Sequence, residues 1–152
     1  MPSCEGQSPV SRSVSWATPE WILEHFRPYF DPCPITASDE VLLDGLCRDW
    51  DGFTFINPPF GGRNVGPWIG RALDHGDCAV IVPARMDTVW FQSLAGGASM
   101  FWFPAGRVKY HNARVKENGG PSFPSVIVAI GRTAEARILS IAKAHRGLLL
   151  RR

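Results

Sequence analysis

Short apolar runs that stop at a proline recur along this chain, and they constrain its fold more than any other feature. Phe53-Thr54-Phe55-Ile56 runs into Asn57-Pro58-Pro59, Cys78-Ala79-Val80-Ile81-Val82 stops at Pro83, and Met100-Phe101-Trp102-Phe103 stops at Pro104. Aromatic and β-branched residues favour a pleated, buried surface, and proline cannot donate to a strand ladder. Each run therefore predicts a short strand with a defined exit. Ser125-Val126-Ile127-Val128-Ala129-Ile130 predicts the final strand.

Between these runs the apolar period becomes helical. Trp68, Ile69, Ala72 and Leu73 share one helical face closed by Gly76, and a helix capped by Asp87 carries Val89, Trp90, Phe91 and Leu94 to Gly96-Gly97. Ala134 to His145 is amphipathic on Ile138, Leu139, Ile141 and Ala142. Upstream, Thr18-Pro19-Glu20 reads as a helix start: a capping hydroxyl, proline at the first helical position and an acid in the first turn. Tyr29-Phe30 is a short run ending at Asp31-Pro32-Cys33-Pro34, and Val41 to Leu46 fits either a strand or a turn. Strands alternating with helices predict an α/β sandwich with a mostly parallel sheet. The last two strands lack a helix-length pattern between them, so an antiparallel edge is expected there. Residues 1–15 predict a loose leader, and 16–152 a single domain.

With 45% hydrophobic and 20% charged residues among 152, the chain can bury a core, which excludes a disordered protein. No apolar run approaches the roughly 20 residues of a membrane-spanning helix, so no membrane partner is expected. The net charge of +2 conceals an asymmetry: residues 1–60 carry nine acidic and three basic side chains, residues 61–152 five acidic and thirteen basic. A polyanionic partner is expected for the second part. Cys4, Cys33, Cys47 and Cys78 form no C-x-x-C pair, so reduced thiols are expected. His75 and Cys78 lie three apart, but no second pair completes a zinc site, so no metal is expected. The first residues lack a basic and an apolar signal region, which makes a cytoplasmic location the expectation.

Asn57-Pro58-Pro59-Phe60 is the most informative tetrapeptide. An exocyclic amine on a base is a poor nucleophile because its lone pair is delocalised into the ring. Two acceptors aimed at its hydrogens localise that lone pair. The Asn57 side-chain oxygen is one such acceptor, and the Pro58 carbonyl can be the second. Pro58 and Pro59 restrict the backbone so that this carbonyl is not drawn into a helix. Phe60 offers a flat face for a planar ring, and Gly61-Gly62 allows close approach. The same residues also suit a plain tight turn.

Further motifs occur in order around it: Trp16-Ala17-Thr18-Pro19, Asp31-Pro32-Cys33, Asp44-Gly45-Leu46, a run from Val82-Pro83-Ala84-Arg85 through Asp87-Thr88 to Trp90-Phe91, and Pro121-Ser122-Phe123-Pro124-Ser125. Over roughly residues 16–130 the chain resembles the compact phage-type DNA N6-adenine methyltransferases. The resemblance implies a Rossmann-like fold that binds S-adenosyl-L-methionine beside Asn57. It implies that Trp16, Thr18 and Pro19 line the methionine end of the cofactor. Asp31 would face its ammonium group, with Pro32 and Cys33 shaping the turn, and Asp44 would lie near its adenine. It further implies a cytoplasmic location in a bacterial host, with DNA as partner and no obligate protein partner.

The segment from Gly106 to Pro124 is long for a connection inside a compact domain and is therefore a functional candidate. Arg63, Arg107, Lys109, His111, Arg114 and Lys116 are expected to contact DNA phosphates, with Tyr110 interleaved to stack or wedge. A target base in duplex DNA must leave the stack to be methylated, unless the substrate is single-stranded. Rival readings are methylation of another planar amine (RNA adenine, cytosine N4 or a protein glutamine) and a catalytically silent nucleic-acid-binding relative. Arg151, Arg152 and the C-terminal helix are expected to be surface features.

Overall fold

A computed structural model of the chain describes residues 16–34, 39–60, 65–111 and 123–152. In chain order the elements are α1 (Glu20–Leu23), α2 (Asp39–Cys47), β1 (Thr54–Ile56), α3 (Val65–His75), β2 (Cys78–Pro83), α4 (Val89–Gly97), β3 (Met100–Pro104), β4 (Ser125–Ile130), α5 (Arg132–Ala144) and β5 (Gly147–Arg151). All four runs expected as strands are strands. Val41 to Leu46 lies inside α2 and is neither strand nor turn. The cap of α4 is Thr88 rather than Asp87, its hydroxyl accepting from the Phe91 amide at 3.3 Å.

The five strands form one sheet in the order β1-β2-β4-β3-β5. Only β1 and β2 pair in parallel; β4 is antiparallel to both β2 and β3, and β5 is antiparallel to β3. The expectation of a mostly parallel sheet with one antiparallel edge is thus corrected, although β1, β2 and β3 do run in the same direction. The reversed strand β4 lies in the interior, separating β2 from β3. Also unanticipated is β5, which adds Gly147 to Arg151 to the edge beside β3, so Arg151 belongs to the sheet.

Strand direction also accounts for the placement of the helices. The units β1-α3-β2, β2-α4-β3 and β4-α5-β5 all step the same way across the sheet. With a uniform crossover hand, α3 and α4 must cover one face, and α5, which joins two reversed strands, must cover the other. The cores agree. On one face Val80, Val82, Val126 and Val128 pack with Leu46, Trp68, Ile69 and Leu94. On the other Ala79, Ile81, Ile127 and Ala129 pack with Ile22, Phe26, Ile138 and Ile141. Successive strand residues therefore feed opposite cores, the period-2 rule of a sheet buried on both sides.

Cys33 and Cys78 are buried thiols outside any disulfide, whereas Cys47 is disulfide-bonded, a departure from the expected reduced thiols. Among the described residues no helix is long and apolar enough to cross a membrane.

Candidate active site at the carboxyl ends of the strands

Phe30 forms a parallel bridge with Thr54, so the chain leaves Phe30 and β1 toward the same edge of the sheet. Asp31 and Asn57 are the residues that emerge there. In open α/β sheets this edge is where ligands bind.

Asn57 is held by two hydrogen bonds from its side-chain amide. Nδ2 donates to the Trp16 carbonyl at 2.6 Å and to the Thr18 hydroxyl at 2.9 Å. A carbonyl can only accept, so the contact with Trp16 sets which end of the amide is nitrogen. With both protons committed, Oδ1 is left as the acceptor for anything entering the site. Thr18 is consequently not the helix cap expected from sequence. The N-cap of α1 is Pro19, with no side-chain capping bond, because the Thr18 hydroxyl serves Asn57.

The Asp31-Pro32-Cys33 turn lies alongside. The Cys33 amide donates to Asp31 Oδ1 at 3.0 Å, closing an Asx-type turn, and the Cys33 thiol donates to the Asn57 carbonyl at 3.4 Å. Asp31 reaches solvent, yet the protein packed around it desolvates the carboxylate enough to raise its pKa above the ordinary value, against the opposing pull of the Cys33 hydrogen bonds. A carboxylate in that condition gains from a cation beside it. Behind the turn, Gly45 of α2 sits against the Pro32 carbonyl so closely that a Cβ would collide with it, and the Gly45 carbonyl accepts from Trp50 Nε1 at 2.7 Å. Asp44 itself is exposed and pairs with Arg48 at 3.6 Å. It is therefore Gly45, not the Asp44 carboxylate, that meets the Asp31 turn.

Phe60 is half-buried in a group of rings. Its centroid is 5.4 Å from Phe123 and 6.2 Å from Tyr110, both edge-on. Tyr110 is buried, and its hydroxyl shares a 2.8 Å hydrogen bond with the buried Ser125. Burial pushes the Tyr110 phenol pKa up. Tyr110 thus forms the wall behind Phe60 and is not displayed for stacking on nucleic acid.

From Arg107 to His111 exposure alternates: Arg107, Lys109 and His111 face solvent, while Val108 and Tyr110 point inward. His111 and Ala17 exchange backbone hydrogen bonds of 3.0 and 2.8 Å, which ties this basic row to the segment that holds Asn57. Arg63, Arg114 and Lys116 lie outside the described residues. The structure thus brings together Trp16, Thr18, Asp31, Pro32, Cys33 and Asn57, with Lys109 and His111 at the margin. Sequence reasoning assigned no role to Phe123 and Ser125. The alternation of charged and apolar residues from 107 to 110 was the available signal that Tyr110 turns inward.

Comparison with protein-family models, with curated proteins and with solved structures finds no match to this chain.

Proposed function

We propose that this chain is an S-adenosyl-L-methionine-dependent DNA adenine N6-methyltransferase with a Rossmann-like core, acting in the cytoplasm of a bacterial host and encoded by a phage or prophage. The observation that carries this reading is the Asn57 amide, whose donors are both consumed by Trp16 and Thr18 so that its oxygen is presented as an acceptor.

The residues present fit the cofactor. Asp31, a desolvated carboxylate on the same strand edge as Asn57, suits an ammonium group. When bound, the cofactor supplies an electrophilic methyl on a sulfonium. Asn57 Oδ1 and the Pro58 carbonyl accept from the adenine amino group and localise its lone pair, while Phe60 provides a stacking surface. The cofactor would supply the methyl for the new N–C bond and keep the electron pair of the broken C–S bond on sulfur, while Asn57 and the Pro58 carbonyl hold the amine in line and its surplus proton would pass to solvent. Arg107, Lys109 and His111 serve phosphates along the rim. Catalysis in such a site is mostly positioning and electrostatics.

The test is incubation with labelled S-adenosylmethionine and DNA, followed by mass spectrometry of the nucleosides. N6-methyladenine in DNA is the expected product. Label in cytosine, in RNA alone or in protein would replace the substrate assignment, and no transfer to any of these would overturn the reading.

A further inference from the structure

Glu24, His25 and His145 converge on the helical face opposite α3 and α4, and the proposed methyl transfer uses none of them. Glu24 is the C-cap of α1 and His145 the C-cap of α5. The two histidine Nε2 atoms are 3.4 Å apart, and Glu24 Oε1 is 3.8 Å from His25 Nε2. Among the described residues this is the one group of three whose ligand atoms gather this closely, all within 4.8 Å of one another.

We propose that these three side chains form a binding site for a divalent transition metal, zinc being the best match. Zinc takes nitrogen and oxygen ligands at about 2.0–2.2 Å in tetrahedral array, which places neighbouring ligand atoms about 3.3 Å apart. The 3.4 Å between the imidazole nitrogens is already that spacing, and the exposed Glu24 carboxylate, 3.8 Å from His25 Nε2 and within 4.8 Å of both nitrogens, has to swing in by about 0.5–1.5 Å. Two imidazoles and one carboxylate are a donor set suited to zinc rather than to calcium or magnesium.

The surroundings favour a cation. His25 Nδ1 lies 3.0 Å from Ser140 Oγ. With that nitrogen donating to the hydroxyl, Nε2 keeps its lone pair for the metal, the outer-sphere hydrogen bond typical of ligating histidines. The His145 ring is seated against Trp21 at 4.7 Å between centroids, which limits its reorientation. Both histidines stand at or next to helix C-termini, where backbone carbonyls concentrate partial negative charge. Glu24 is mostly exposed, so the fourth position is open to a water.

Such an ion would clasp the turn after α1 to the end of α5, residues separated by 120 positions. This inference does not depend on the proposed methyltransferase activity. The experiment is zinc titration of tag-free, metal-stripped full-length chain by calorimetry, with cobalt(II) as a spectroscopic stand-in. Expected are one zinc per chain, a thermal midpoint that rises with zinc concentration and the visible absorption of four-coordinate cobalt. His25→Gln and His145→Gln should each weaken zinc binding more than about tenfold, and Glu24→Gln should weaken it less. His111→Gln, away from the cluster, should bind as the parent does. Circular dichroism establishes that each variant is folded. Absence of stoichiometric binding to the parent chain overturns the site, whatever the variants do, as does undiminished binding by a folded His25→Gln/His145→Gln double variant.

Discussion

The Asn57 side-chain amide donates to the Thr18 hydroxyl at 2.9 Å, joining residues 39 positions apart. Thr18 precedes α1, and Asn57 follows β1. The bond therefore makes the segment before α1 part of the machinery that aims Asn57, a role that local sequence assigns to neither residue.

Asn57→Ala should lower methyl transfer at least about 100-fold, the usual effect of deleting one aimed polar group at a reacting centre. Thr18→Ala, which removes one of two restraints on the same amide, should cost about fivefold, in line with a hydrogen bond of about 1 kcal/mol. Single-turnover rates on DNA measure both. Equal losses would mean that Thr18 does more than orient Asn57.

Gly45→Ala should destabilise the chain by about 1–3 kcal/mol, as overpacking against backbone does, because its Cβ meets the Pro32 carbonyl. Urea unfolding reads the stability, and S-adenosylmethionine titration reads the accompanying shift of the Asp31 turn. An alanine variant of parental stability and affinity would show that α2 can move away freely.

The raised pKa of Asp31 has a definite sign for stability. A carboxyl group whose folded pKa exceeds its unfolded value binds more protons in the native state, so its contribution falls as pH rises through that interval. Asp31→Asn, which still accepts from Cys33, should therefore stabilise the chain at neutral pH. That gain should fade below about pH 4, and cofactor affinity should be lost at both pH values. Unfolding curves at neutral and acid pH, paired with calorimetry, test this; a variant less stable at neutral pH would contradict it.

Arg107→Ala/Lys109→Ala should weaken DNA binding on all sequences alike and reduce the salt dependence by about one unit of log–log slope per lost phosphate contact. Tyr110→Phe should leave DNA affinity unchanged and cost about 1 kcal/mol of stability through the orphaned Ser125 hydroxyl. Fluorescence anisotropy across a salt series separates the two behaviours.

Local pattern made much of this protein legible. The apolar runs at Thr54–Ile56, Cys78–Pro83, Met100–Pro104 and Ser125–Ile130 are strands because their composition suits a sheet buried on both faces. The helices α3, α4 and α5 follow the 3.6-residue period. Asn57 could be picked out because two prolines and an aromatic ring after a strand give an exit with unusual chemistry. Gly147 to Arg151 escaped notice because an exposed edge strand has no alternation to read.

The chain's own residues, then, determine where strands and helices form and which strand exit carries the polar chemistry, since those depend on side-chain volume, branching and proline geometry within a few positions. The reversal of β4 inside the sheet, the capture of Thr18 by Asn57, the burial of Tyr110 against Ser125 and the meeting of His25 with His145 were decided only by tertiary structure. Each depends on a contact between segments distant in the chain or on strand direction, and neither leaves a periodic trace in the sequence.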